Sequence, residues 1–326
     1  MKRLVMCNQA ADLDSIACCV SLAVSLDAAP FVPIPREELH LRREAEWLLG
    51  ECGVDTASLA FSGELDPSEA DKIILVDHNV LPPEYEYLAP KITEIIDHHK
   101  DECRLAAAKT IVQTGSCATL VGKRLLESHT QGRTVQGRHT LPQNLATLLL
   151  GAILIDTRCL AQRHPTTELD RSVAAQLAAV AGCDSKALYA ELWRLKSDLS
   201  VFTPGELLRK DYKEITASRV KCGFCAIYGA LESISGNLME EAQVFRRSRQ
   251  LDHLVLMSAY YEGEELRKEL ALIPHCSWNQ EALAYLNAKG AQLEPKSVIE
   301  GIQVYNQKNT DWSRKQILPF IKELIG

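Results

Sequence analysis

The sequence predicts an α/β protein of two domains: a parallel β-sheet with helices on both faces over residues 1–197, and a smaller α/β domain over 206–326. Three observations carry this. Short apolar runs alternate with helical patterns through the first two hundred residues, which implies βαβ crossovers and a parallel sheet. The length of 326 residues exceeds what one core of roughly 250–300 residues supports. Residues 196–205, which contain Pro204-Gly205, interrupt the pattern and read as a linker.

Residues 4–7 are the first strand candidate, and 16–25 form the apolar helix after it. Residues 31–34 supply a second strand. Residues 37–52 are amphipathic, with Leu39, Trp47 and Leu48 on one side. KIILV at 72–76 and ITEII at 92–96 are two further strands, each followed by an acid. Residues 116–128 and 141–155 read as helices, and 171–195 continue as one helical pattern. Between those first two, 128–140 contain no acid and carry His129, Arg133, Arg138 and His139, the composition of a solvated surface loop. The second domain begins with a helix, has strands at 220–230 and 252–261, and ends in a helix over 319–325.

A hydrophobic content of 46% with 24% charged residues is that of a globular chain and excludes a disordered one. The net charge of −7 argues against nucleic acid or an anionic membrane as the main partner. Residues 1–205 hold 20 basic and 27 acidic residues, whereas 206–326 hold 16 of each, so the acidity belongs to the first half. The apolar run 145–155 is shorter than the roughly 20 residues of a membrane span. Residues 4–7 are too few for a secretory leader. A soluble, cytoplasmic monomer is expected, with its 11 cysteines reduced. Cys222-Gly-Phe-Cys225 lies within an apolar strand rather than at a helix start and lacks a second pair, so it reads as packing.

Four short motifs concentrate the chemistry. Asn8-Gln-Ala-Ala-Asp12-Leu-Asp14-Ser15 follows the first strand, Asp77-His78-Asn79 follows KIILV, Asp97-His98-His99 follows ITEII, and Asp156 closes an apolar helix. Ligands of open α/β sheets bind at the carboxyl ends of strands, so three of the four should converge on one crevice. In an extended segment Asp12 and Asp14 would point to one side. That many carboxylates beside a His pair calls for a cation. Carboxylates with few imidazoles suit Mg²⁺ or Mn²⁺ better than zinc, and two such ions about 3.5–4 Å apart are common machinery for displacement at phosphorus.

At these residues the sequence resembles the DHH phosphoesterase superfamily, whose triplet is here Asp97-His98-His99. Lys210-Asp211-Tyr212-Lys213 and Ser313-Arg314-Lys315-Gln316 resemble the substrate-grip motifs of its DHHA2 branch. That branch includes exopolyphosphatases, prune proteins and family II inorganic pyrophosphatases. The resemblance implies a mixed sheet in the second domain and two divalent cations. One would be held by Asp12 and Asp77 with Asn8 nearby, the other by Asp14, Asp77, His98 and Asp156. It implies that Asp77 bridges the ions, that His99 faces the phosphate and that Asp97 supports the His pair. His99, Lys213, Arg314, Lys315 and Arg163 would bind substrate.

Family II pyrophosphatases carry His where this sequence has Asn8. The Asn form resembles the exopolyphosphatase and prune group and shifts the expected preference from Mn²⁺ toward Mg²⁺. Residues 114–120 and 35–39 with Arg42 resemble the same group. The resemblance therefore implies an exopolyphosphatase acting on linear polyphosphate, with the linker as a hinge that closes on substrate. The alternatives are an inorganic pyrophosphatase, a prune-like phosphodiesterase on cyclic nucleotides or short oligonucleotides, and a non-catalytic binding protein. Aromatic residues at 6% offer no evident stacking platform for bases. The sequence ends ten residues past Gln316, so no interaction tail is expected.

Overall fold

Six parallel strands form the sheet of the first unit, residues 1–196: β1 (Arg3–Met6), β2 (Ala29–Val32), β3 (Ala60–Phe61), β4 (Lys72–Val76), β5 (Ile92–Asp97) and β6 (Ala108–Ile111). The computed structural model describes residues 3–130, 141–162, 166–234, 236–263, 265–274 and 276–326. The strand order is β3-β2-β1-β4-β5-β6, every pairing parallel. The order therefore reverses between β1 and β4, and the carboxyl ends there open the crevice in which such sheets bind ligands.

The strands are apolar on both faces because both faces are covered. Val5, Ile74, Val76 and Ile96 point into a layer of α-helices. These are α1 (Leu13–Leu26), α2 (Arg43–Glu51), α3 (Cys117–Thr130), α4 (Gln143–Asp156), α5 (Glu168–Ala181) and α6 (Ser185–Ser197). Leu4, Met6, Ile73, Leu75 and Ile95 point the other way, onto Leu81 and Leu88. Leu88 lies on the 3-10 helix Pro83–Lys91. That β4–β5 connection contains Pro82, Pro83 and Pro90, and Pro90 withdraws a backbone donor near its end.

Three expectations are corrected in this unit. The amphipathic 37–52 is a 3-10 helix (Arg36–Leu41) and α2, separated by Arg42 at φ −109°, ψ 60°. The pattern over 171–195 is two helices, because Gly182 ends α5 in the left-handed conformation at φ 64°. Asp12 and Asp14 do not share an extended segment. Asp12 is the N-cap of α1 and Asp14 lies in its first turn. In the 128–140 connection, residues up to 130 belong to α3, and 131–140 lie outside the described residues.

The second unit, residues 197–326, holds α7 (Pro204–Lys210), β7 (Tyr212–Ala217), β8 (Val220–Tyr228), α8 (Leu238–Ser248), β9 (His253–Glu262) and β10 (Glu265–Ile273). It continues through α9 (Ser277–Lys289), β11 (Leu293–Ile299), β12 (Ile302–Gln307) and α10 (Arg314–Ile325). Its sheet is mixed, in the order β11-β12-β10-β9-β8-β7, with only β8 and β9 parallel. Phe224, Val255, Leu270 and Leu272 pack on Leu286 of α9 and Ile317 and Ile321 of α10. Pro204-Gly205 is not linker but the first turn of α7, started by a Thr203–Glu206 capping box. The terminal helix likewise starts five residues before Pro319, at a Ser313–Gln316 capping box. Among the described residues no helix is long and apolar enough to cross a membrane.

Candidate metal centre

The loop after β1 is tied to Asp77. The Asn8 amide donates from Nδ2 to the Asp77 carbonyl at 3.1 Å and to Asp77 Oδ2 at 2.8 Å. Its own Oδ1 accepts from the Ala10 N–H at 2.6 Å. The expected ligand oxygen of Asn8 is thus turned to its own loop, and the amide nitrogen faces the carboxylate. Buried Arg42 holds the same loop, with Nε and Nη2 on the Ala10 carbonyl at 3.2 and 2.8 Å. The hydroxyl of Ser15 donates to Asp77 Oδ2. Asp14 is buried and accepts from Ser116 Oγ, the Cys117 N–H and the Ala118 N–H, each at 2.7 Å.

Asp77 follows β4 in a left-handed conformation at φ 62°, a strained state for a non-glycine residue that clusters at functional sites. Asp97 ends β5. Its Oδ1 accepts from the His98 N–H at 2.8 Å, the His99 N–H at 3.2 Å and His99 Nδ1 at 2.8 Å. Its Oδ2 accepts from Asn79 Nδ2 at 2.5 Å. His98 Nδ1 lies 3.0 Å from the Thr114 carbonyl, which only accepts, so Nδ1 carries the proton. The other nitrogen, Nε2, then faces Asp77 Oδ1 at 3.4 Å and Asp14 Oδ2 at 4.0 Å. His99 Nδ1 is 3.7 Å from Asp77 Oδ1.

Ligand atoms of Asp77, His98 and His99 lie within 4.8 Å of one another. Asp77 Oδ1 is buried and has no hydrogen-bond partner. Burial and the charge of Asp14 push the Asp77 carboxyl up to about 6. Burial opposes a charged imidazole at His98, but Asp77 and Asp14 outweigh it and lift the ring to about 10. Asp156, the last residue of α4, is pushed well above the carboxylate range by burial and by Asp14 and Asp12. Burial would raise Asp97 too, yet His99 and the backbone donors hold it below its ordinary value. An orphaned buried oxygen among acids and an imidazole that compete for protons fits a divalent cation.

The structure thus brings Asp14, Asp77, Asp97, His98 and His99 together, with Asn8 on Asp77. Asp12 and Asp156 act on them electrostatically. In the second unit Lys213 lies exposed on β7 and Lys315 exposed on α10. Arg314 grips Asp211, with Nη2 2.7 Å from Oδ1 and Nη1 3.0 Å from its carbonyl. Arg163 lies outside the described residues. Sequence reasoning gave no role to Ser15, Asn79, Ser116 or Arg42. All four stood inside the stretches it quoted, and their burial was the missing signal.

The pattern of domains and acids has known relatives. The DHH family N-terminal domain matches residues 2–153 and the DHHA2 domain matches residues 190–324. The chain therefore belongs to the DHH phosphohydrolase family, in the branch that carries a DHHA2 domain. It is 28% identical to exopolyphosphatase PRUNE1 of Rattus norvegicus, over 99% of this chain and 75% of that protein. It is 31% identical to the manganese-dependent inorganic pyrophosphatase of Methanocaldococcus jannaschii, over 68% of this chain and 69% of that protein. A solved structure of a candidate family II inorganic pyrophosphatase from Methanococcus jannaschii has the same fold, with a TM-score of 0.69 at 23% identity and 98% of both chains covered.

Proposed function

We propose that this protein is a metal-dependent exopolyphosphatase that releases terminal phosphate from linear polyphosphate. The observation that carries the metal dependence is Asp77 Oδ1, buried and without a hydrogen bond, facing the imidazoles of His98 and His99 at 3.4 and 3.7 Å. Asp12 and Asp77, with Asn8 alongside, would hold one ion, and Asp14, Asp77, His98 and Asp156 the other. Bound divalent cations supply a water of lowered pKa and positive charge against the phosphoryl oxygens. The chain's own residues do the rest. Asp97 accepts the His99 Nδ1 proton, so Nε2 faces substrate as an acceptor, and only the doubly protonated ring would donate from it to a phosphoryl oxygen or give that proton to the leaving phosphate. Lys213 and Lys315 offer point charges and Arg314 a planar fork for the phosphate chain.

The exopolyphosphatase-named relatives support this substrate, and the 31% identity to a manganese-dependent pyrophosphatase supports pyrophosphate as the second reading. We take Mg²⁺ as preferred, since Asn8 brings no imidazole and the set is rich in oxygen donors. Turnover of pyrophosphate through long-chain polyphosphate, each with Mg²⁺ and with Mn²⁺, is the test. Phosphate release from long chains is expected, fastest with Mg²⁺. Turnover of pyrophosphate alone overturns the polyphosphate reading, and faster hydrolysis with Mn²⁺ overturns the metal preference.

A further inference from the structure

We propose that Asp170 is a positioning residue for the metal pocket, acting through the turn at residues 114–119. The inference rests on the metal-centre reading above. Asp170 is fully buried at the third position of α5. Its Oδ2 accepts from the Gly115 N–H at 2.9 Å and from the Thr167 N–H and hydroxyl at 2.6 and 2.7 Å. Its Oδ1 accepts from the Thr119 hydroxyl at 2.5 Å.

The Thr167 N–H bond, with the Asp170 N–H donating back to Thr167 Oγ1 at 3.2 Å, makes the capping box of α5. The Gly115 and Thr119 bonds do nothing for that helix. They fix a turn that presents four of its polar groups to the pocket. The Thr114 carbonyl takes the proton of His98 Nδ1, and Ser116 Oγ, Cys117 N–H and Ala118 N–H take Asp14. The Thr114 hydroxyl closes the turn on the Ser116 carbonyl at 2.8 Å. Six residues thus present one set of groups to Asp170 and the other to His98 and Asp14. A buried carboxylate is costly unless well paired, and here its pairing sets the tautomer and direction of one pocket imidazole and the donors of one pocket acid. Groups that hydrogen-bond a metal ligand directly are worth about 10–100-fold in metal affinity, and Asp170 acts on the partners of two proposed ligands through one turn.

The test is calorimetric Mn²⁺ binding together with thermal unfolding of the chelator-treated protein, for wild type, Thr119→Val, Asp170→Ala, Asp170→Asn and Thr167→Ala. Thr119→Val and Asp170→Ala should weaken Mn²⁺ binding about tenfold. Asp170→Asn should recover most of it, because the amide oxygen can still accept from Gly115 and Thr167. Thr167→Ala should lower the melting temperature through the cap while Mn²⁺ affinity stays within about twofold. Wild-type Mn²⁺ affinity in Thr119→Val and Asp170→Ala overturns the inference. So does an equal loss in Thr167→Ala, which would show that the stability of α5 alone is being read. Should Asp170→Ala not fold, Thr119→Val decides, since it exchanges one hydroxyl for a methyl. A wild type that binds Mn²⁺ but hydrolyses no condensed phosphate ends the proposed function and leaves this inference to the binding data. A wild type that binds no divalent ion ends both.

Discussion

Asn79 is a buried amide that ties Asp97, which holds the His pair, to the loop after it. Its Nδ2 donates to Asp97 Oδ2 at 2.5 Å and to the Lys100 carbonyl at 2.9 Å, and its Oδ1 accepts from the Glu102 N–H at 3.0 Å. Asn79→Ala strands a fully buried carboxylate oxygen and two peptide groups. A hydrogen bond to a charged group contributes about 1.5–3 kcal/mol and an ordinary one about 0.5–1.5. With water refilling the two part-buried peptide groups, the net loss is about 3 kcal/mol. For a unit of 196 residues, at about 2–4 °C per kcal/mol, the melting temperature should fall by roughly 6–12 °C. Asn79→Asp separates this account from simple loss of volume. It keeps the acceptor for Glu102 but sets a second carboxylate against Asp97, and two such acids cannot both ionise cheaply. In chelator at pH 8 it should therefore melt below Asn79→Ala, and at pH 5, where the pair can share a proton, the gap should close. Circular dichroism melts at the two pH values give both numbers. An Asn79→Ala protein within 2 °C of wild type, or an Asn79→Asp protein more stable than it at pH 8, refutes the reasoning.

Gly151 packs α4 against α2 and α6, and a Cβ there would stand 2.5 Å from Leu48 Cδ2 and 3.1 Å from Leu192 Cδ1. Gly151→Ala should cost about 1–3 kcal/mol of overpacking, read as a lower denaturant midpoint that Leu48→Val partly restores. His253 stacks on Trp278 at 3.7 Å, and burial holds its imidazole below the ordinary value. The folded chain then takes up this proton less readily than the unfolded one, so its contribution is intact above the unfolded value near 6.5 and is lost as pH falls below it. His253→Phe, which keeps the stack, should flatten the fall in melting temperature between pH 7 and 5. Lys213→Ala and Arg314→Ala should each weaken substrate use and leave Mn²⁺ affinity at the wild-type value; equal loss of metal binding removes them from substrate binding.

The parallel sheet was readable because β1 and β4 are buried on both faces after their first residue and so are apolar from there on, and β5 closes on buried Ile95-Ile96. The second sheet was half hidden. Tyr212–Ala217 and Leu293–Ile299 are edge strands with solvated faces, the latter with a bulge between Pro295 and Ser297, and charged Glu265–Ile273 shows no clean alternation. Three helix starts were written in the sequence as capping signals: Asp12 before Ser15, Thr203 before Glu206, and Ser313 before Gln316. Reading Asp-x-Asp as an extended pair obscured the first, Pro-Gly as punctuation the second, and Pro319 as a start the third. The pocket acids were visible as residues, but the donors that hold them were not. Gly115, Ser116, Ala118 and Thr119 meet Asp170 or Asp14 across 51–104 positions of sequence, and no local spacing encodes such pairs.

The pocket acids divide by what holds them, and the division fixes how metal binding should depend on pH. Asp14 and Asp97 have four donors each, Cys18 Sγ at 3.6 Å among those of Asp14, whereas Asp77 Oδ1 has none. Asp156 ends α4, where the helix dipole adds to the repulsion from Asp14 and Asp12. Asp77 is raised to about 6 and His98 to about 10, with Asp156 well above its ordinary value. In the metal-free chain all three favour the protonated form more than the unfolded chain does. The native state then binds more protons than the unfolded one, and stability falls as pH rises through these values. A divalent cation reverses this, since it takes the deprotonated carboxylates and the neutral imidazole. Chelator-treated protein should lose melting temperature between pH 6.5 and 9, a window above the reach of His253, while Mn²⁺-loaded protein should hold or gain. Calorimetric titration with Mn²⁺ at pH 7, in two buffers of different protonation enthalpy, should count about one or more protons released per chain. No release would mean that His98 is already neutral and the acids already ionised without the cation, and the electrostatic case for the pocket would fail with it.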